Sequence, residues 1–215
     1  MNKEIAELVG AIIGDGNLWT DGRHYRVELT GDPKLDVIYY QYLAKIIVKE
    51  FNENPRFKVR QRGLRLRVCS KIFFKFLAVK LGIPVGSGKA KSVKIPREIV
   101  SSSWSTTSKC IRGISDSDGS FFLCNKGYRN DYPTIEITTT SKHLAQQLEK
   151  ILTGKDFRVG FSSWNPLGEW NIRYVISING DEMLKKWVRE IGFSNPRHYR
   201  KLNNTRLNKS KTERG

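Results

Sequence analysis

Apolar positions near the start of the chain recur at helical spacing. Ile5, Leu8, Val9, Ile12 and Ile13 form one stripe, and the pattern stops at Gly14-Asp15-Gly16, which reads as a helix end. A short strand is expected over 17–20, a β-rich run over 25–30 and a helix over 34–51. Residues 56–68 then alternate strictly. Arg56, Lys58, Arg60 and Arg62 interleave with Phe57, Val59 and Gln61, and after Gly63, Arg65 and Arg67 interleave with Leu64, Leu66 and Val68. Period two predicts a hairpin with one apolar and one cationic face. A turn at Arg62-Gly63 would pair Arg60 with Arg65, Lys58 with Arg67, Val59 with Leu66 and Phe57 with Val68. A helix over 71–81 closes the series before Gly82, a C-cap residue.

The same order appears a second time. Residues 8–16, Leu-Val-Gly-Ala-Ile-Ile-Gly-Asp-Gly, answer to 111–119, Ile-Arg-Gly-Ile-Ser-Asp-Ser-Asp-Gly. A strand over 120–124, a β-rich run over 134–140, a helix over 142–152, a hairpin from Phe157-Arg158-Val159 and a helix over 182–191 before Gly192 follow. The fold class expected is α+β: two αββαββα repeats, each with a four-stranded antiparallel sheet. The halves span 1–83 and 108–202, with a Gly-, Ser- and Lys-rich linker over 84–107 and a flexible basic tail over 203–215.

In the second hairpin Phe157, Val159 and Phe161 mark an apolar face. Beyond the turn, Trp170, Ile172, Ile176 and Ile178 read as buried, leaving Arg158, Asn171 and Arg173 for contacts. The two hairpins differ in charge, so a partner would be read asymmetrically.

The spacing of small residues brings chemistry into view. Gly10 and Gly14, and again Gly113 and Ser117, are four apart on one helical face, which lets two backbones approach closely. Two such helices packed in parallel would bring Asp15 and Asp118 to one place. A carboxylate at a helix C-terminus is disfavoured, and two together are worse. A divalent cation removes that penalty. Oxygen ligands suit Mg²⁺, with Mn²⁺ as a substitute, and metal-activated water attacking a phosphodiester is the chemistry that follows. Asp116 reads as a polar helix-end residue.

Charge narrows the partner. Lys and Arg number 38 against 21 Asp and Glu, a net +17. That field selects a polyanion, nucleic acid before membrane. No run approaches the ~18 apolar residues of a membrane span, and the N-terminus lacks a secretion signal, so a cytoplasmic or organellar location is expected. Cys69, Cys110 and Cys124 are odd in number and widely spaced, which suits buried free thiols. His24, His143 and His198 show no metal-ligand spacing.

The paired segments resemble the motifs of single-chain LAGLIDADG homing endonucleases, intron-encoded and of archaeal type. Ile13 stands where that motif has its first acid, Arg112 replaces a small residue and Ser115 an apolar one. The resemblance implies a monomer that binds double-stranded DNA through two sheets and cuts both strands at a long asymmetric site, leaving short 3′ overhangs. It implies metal binding by Asp15 and Asp118. Among basic residues near the scissile phosphate it points to Lys89 or Lys91, together with Arg197 or Lys201, with Lys94 as a further phosphate contact. Tyr25 is a candidate backbone or base contact, although core or loop packing is the simpler reading of it. Alternatives on the same scaffold are an RNA maturase acting on intron RNA and a non-catalytic DNA-binding regulator. The ends of the chain, without a Cys or Ser start or a His-Asn finish, favour a free-standing enzyme over an intein fragment.

Overall fold

The computed structural model describes residues 1–60, 63–165 and 172–203. The first half runs α1 (Lys3–Asp15), β1 (Gly16–Thr20), β2 (Tyr25–Gly31), α2 (Val37–Phe51), β3 (Arg56–Arg60), β4 (Gly63–Val68) and α3 (Lys71–Lys75). The second runs α6 (Trp104–Asp118), β5 (Gly119–Cys124), β6 (Tyr132–Thr139), α7 (Lys142–Thr153), β7 (Val159–Trp164), β8 (Arg173–Asn179) and α8 (Asp181–Glu190). Each half carries a four-stranded antiparallel sheet, ordered β1-β2-β4-β3 and β5-β6-β8-β7. The αββαββα repeat is therefore present twice.

Each sheet buries one face under its helices. Leu18, Val27, Leu29, Leu64, Leu66 and Val68 line that face in the first half, and Phe121, Ile135, Ile137, Ile176 and Ile178 line it in the second. The outer strands are less covered: Phe57 and Val59 on β3 are exposed, as are Phe161 and Ile172 in the second hairpin. The apolar pattern puts Ile172 in the core. It is exposed instead, just before β8 begins.

Other differences have local causes. The first hairpin pairs Arg60 with Gly63, Lys58 with Arg65, Phe57 with Leu66 and Arg56 with Arg67. The register is thus two residues from the expected one. Gly63 belongs to β4 rather than to the expected turn, and an even shift keeps every side chain on its face. The 71–81 helix tightens into α and then widens into a π turn over Phe76–Lys80, with Leu81 N–H donating to Phe76 O at 3.1 Å. Gly82 and Gly192 take the left-handed conformation, φ 65° and 70°, that ends their helices. The linker contains two short helices, α4 (Lys89–Ser92) and α5 (Arg97–Val100), and α6 reaches back to Trp104. A last helix, α9 (Pro196–Leu202), starts with Asn195 as N-cap and Pro at the first turn. Cys69 is exposed, Cys110 buried and Cys124 half-buried. Cys69 follows the end of β4 on the sheet rim, so the expected burial holds only for Cys110. Among the described residues no helix is long and apolar enough to cross a membrane.

Candidate active site and nucleic-acid interface

The two halves meet along α1 and α6, whose backbones touch. A Cβ on Gly10 would lie 2.1 Å from the carbonyl oxygen of Cys110, and one on Gly113 would lie 2.1 Å from that of Glu7. No side chain fits in either place. Further along, a Cβ on Gly14 would meet Ser117 Cβ at 2.6 Å and Asp118 Cγ at 3.3 Å. The crossing thus delivers the C-terminal ends of both helices, with Asp15 and Asp118, to one floor between the sheets. Glu7 and Arg112 join the two helices by an ion pair, Glu7 being fully buried. Arg112 departs from the motif pattern because it supplies this partner.

The electrostatics follow from the crossing. Burial raises Asp15 to about 7, and the charges of Asp118 and Asp36 add to the shift, while Tyr40 Oη, donating to Asp15 Oδ2 at 3.2 Å, and Arg197 oppose it. Burial raises Asp118 to about 6 against the fields of Lys89 and Arg197. Asp118 keeps exposed surface, yet the protein packed around its carboxyl removes enough water to raise it. Both acids therefore resist carrying charge without a cation beside them.

Each helix end has a cationic cap. Lys89 Nζ, buried, donates to the carbonyls of Ile12 at 2.8 Å, Ile13 at 2.5 Å and Gly14 at 3.1 Å, closing α1. Burial lowers its ammonium to about 8 although both acids favour the charge. Arg197 Nη2 donates to the carbonyls of Asp116 and Ser117 at 2.8 Å each, closing α6. Both satisfy carbonyls that a helix end leaves without partners, where the macrodipole favours positive charge. Arg197 also pairs with Asp36 at 3.3 Å, and Asn195 Nδ2 donates to Asp36 Oδ1 at 2.7 Å. Asp116 is fully buried and accepts the backbone N–H groups of Ser194 and Asn195 at 2.6 and 3.1 Å. It anchors the segment that carries Arg197. A cavity of about 280 Å³ beside this floor is lined by Gly14, Lys89, Asp118, Thr138, Thr140 and Arg173.

The open sheet faces differ in charge. Across the first sheet run the rows Asn17-Glu28-Arg67-Arg56, Thr30-Arg65-Lys58 and Trp19-Arg26. The guanidinium of Arg26 lies 4.7 Å from the Trp19 ring. Glu28 accepts from Arg67 Nε at 2.6 Å and Arg65 Nη1 at 3.2 Å. Some of the anionic charge this hairpin needs is therefore built into β2. Arg56, Lys58 and Arg60 on β3 are exposed, and among the described residues no hydrogen bond or ion pair holds them. The second sheet shows Ser120, Glu136, Ser177, Thr138 and Ser162, with Arg173 stacked 5.6 Å from the Trp164 ring.

With this geometry, comparison with known proteins becomes informative. No family model matches the chain. The replication factor C small subunits of Methanocaldococcus jannaschii and Thermococcus kodakarensis are 28% and 26% identical over 94% of the chain. The chain spans only 10% and 20% of those proteins, a short segment of each. Among solved structures, the homing endonuclease I-DmoI in complex with DNA and Ca superposes with a TM-score of 0.65 at 21% identity, covering 88% of both chains. I-WcaI bound to its DNA recognition sequence gives 0.63 at 15%, covering 93% of this chain and 85% of that one. The chain has the LAGLIDADG homing-endonuclease fold. The fold alone does not decide activity: the N-terminal LAGLIDADG domain of DUF199/WhiA also superposes, at 0.55 and 15% identity, over 90% of this chain and 84% of that one.

On this LAGLIDADG scaffold the sequence-derived candidates separate into groups. Asp15, Asp118, Lys89 and Arg197 converge on one floor. Lys201 is exposed on α9 and is not among the cations whose field reaches either acid. Lys91 and Lys94 are exposed in and just after α4. Arg158 is exposed just before β7, its backbone N–H on Met183 Sδ. Tyr25 is taken up locally, its hydroxyl on the Gly22 carbonyl at 3.1 Å and its ring against Phe74. Arg62, Trp170, Asn171 and the tail from 204 onward lie outside the described residues. Sequence reasoning missed Trp19 and Arg26, whose alternation in a five-residue strand is too short to stand out. It also missed Tyr40 and Asp36, whose roles come from contacts across the fold.

Proposed function

We propose that the chain is a divalent-metal-dependent endonuclease, monomeric, that cuts both strands of double-stranded DNA at a long asymmetric site and leaves short 3′ overhangs. One observation carries this reading: two carboxylates, each raised by burial, meet at the ends of backbone-packed helices on a floor between two sheets. Among the described residues no cluster of three or more His, Cys, Asp and Glu forms. Two carboxylates suit Mg²⁺ or Mn²⁺, which keep waters and accept phosphate oxygens to complete their shell. When bound there by Asp15 and Asp118, the metal would supply an activated water and neutralise charge on the scissile phosphate.

The remaining residues bind and orient. The β3 cations and Arg173 suit phosphate and base-edge contacts, a two-stranded ribbon being of a size to enter the major groove. Lys89 holds the α1 carbonyls and faces the same cavity as Asp118. An RNA maturase or a regulator has no need of the acid pair. The test is cleavage of DNA spanning the insertion point of the reading frame, with and without Mg²⁺. Asp15→Asn and Asp118→Asn should retain DNA binding while cleavage of both strands falls at least ~10³-fold, a loss of about 4 kcal/mol of transition-state stabilisation. Full cleavage by either variant overturns the assignment.

A further inference from the structure

The two half-sites share a backbone plan but not their supporting side chains. In the first half, Asp36 stands at the N-cap position of α2 and Tyr40 lies four residues on. In the second, Ser141 caps α7 and Ala145 lies four residues on. The strand residues beside them differ in step. Gly16 pairs with Leu29 and Gly119 with Ile137, so Gly31 on β2 is the counterpart of Thr139 on β6. One half therefore has Gly, Asp and Tyr where the other has Thr, Ser and Ala. The exchange conserves space. A Cβ on Gly31 would fall 2.7 Å from both Tyr40 Oη and Asp36 Oδ2, so the absent side chain is what admits the phenol. In the second half Thr139 stands at that position and binds locally, its hydroxyl accepting from Ser141 N–H at 3.1 Å.

Only the first half thus gives its acid a fixed donor. Tyr40 Oη donates to Asp15 Oδ2 at 3.2 Å, and Tyr40 itself is fully buried. Asp36, beside it, is held by Asn195, Arg197 and the backbone N–H of Asp32. Among the described residues no side chain donates a hydrogen bond to Asp118, which instead meets the field of Lys89 and Arg197. From this we infer that Tyr40 is a positioning residue for Asp15: its hydroxyl fixes one carboxylate oxygen and leaves the other aimed at a divalent cation, an arrangement confined to one half of the molecule. This rests on the metal-binding reading above.

Binding of Mn²⁺ alone to the full chain, followed by the loss of the free-ion paramagnetic resonance signal, tests it without DNA or turnover. The wild type should bind, and Asp15→Asn should abolish that binding. Tyr40→Phe keeps ring and volume but removes the donor, and it should weaken Mn²⁺ binding about tenfold, the scale of one hydrogen bond to a charged group. Gly31→Ala should reproduce the defect with Tyr40 intact, by pushing the phenol off Asp15. Circular dichroism of each variant separates loss of fold from loss of site. If wild type and Tyr40→Phe bind Mn²⁺ equally, the positioning role is wrong and the metal site stands. If the wild type shows no binding that depends on Asp15, the metal reading falls, and this inference with it.

Discussion

A carboxyl raised by burial makes folding depend on pH in a definite direction. Asp15 and Asp118 bind protons more tightly folded, at about 7 and about 6, than in an unfolded chain, near the ordinary value of 3.8. The folded state therefore holds more protons between those limits, and their contribution to stability falls as pH rises from about 4 to about 7. A cation that binds the ionised pair offsets this. Mg²⁺ at ten times its dissociation constant adds about 1.4 kcal/mol, which in a chain of this size raises Tm by roughly 3–6 °C. The rise should appear in thermal scans at pH 7.5, vanish at pH 4.5 and be absent in Asp15→Asn. Lys89 gives a second residue-scale expectation. Lys89→Met removes the donor from three carbonyls at the end of α1 and should lower stability by about 1–3 kcal/mol in chemical denaturation.

The two acids themselves are legible in the sequence because the same Asp-Gly ends two similar helices. Asp116 shows the opposite case. Its sequence context suggests only a polar helix-end residue, yet it is fully buried and organises the chain near Ser194 and Asn195. Nothing local announces a partner almost eighty positions away.

Secondary structure is readable wherever periodicity runs over several turns. The alternation of β3 and β4 and the stripe on α1 determine type and facing. The hairpin register escapes because two adjacent turns, two residues apart in register, keep the same apolar face. Helices α4, α5 and α9 escape because four to seven residues do not establish a period. The crossing of α1 and α6 follows from Gly10, Gly14, Gly113 and Ser117, and it makes a sharp test. Gly10→Ala or Gly113→Ala must push the two backbones apart and should cost more than about 3 kcal/mol. Gly88→Ala, where an added Cβ meets nothing within 4 Å, should be neutral or slightly stabilising. Equal effects on Tm in all three would contradict the packing described.

Across the whole molecule, positive charge is unevenly spread. The first sheet carries most of the cations, whereas among the described residues of the second Arg173 stacks on Trp164 with hydroxyls around it. If about 8 phosphates are contacted, log affinity for DNA should fall against log salt with a slope of about −7. Arg60→Gln should reduce that slope by about 1. Arg67→Gln should reduce it less and lower stability more, because Glu28 already holds that guanidinium. A slope near zero in the unsubstituted protein would remove the extended phosphate interface.

The tie between Asp36 and the Asn195–Arg197 segment joins residues 159 positions apart. Its consequence falls on the ribosome. While residues beyond 190 are still being added, the second motif helix has an unclosed end, and Asp36 sits beside the first without its two counterpart side chains. The acids reach their final surroundings only once the Asn195–Arg197 segment has docked. A chain cut short before Asn195 would hold both aspartates and most of the sheet surface, but neither the closure of α6 nor the partners of Asp36.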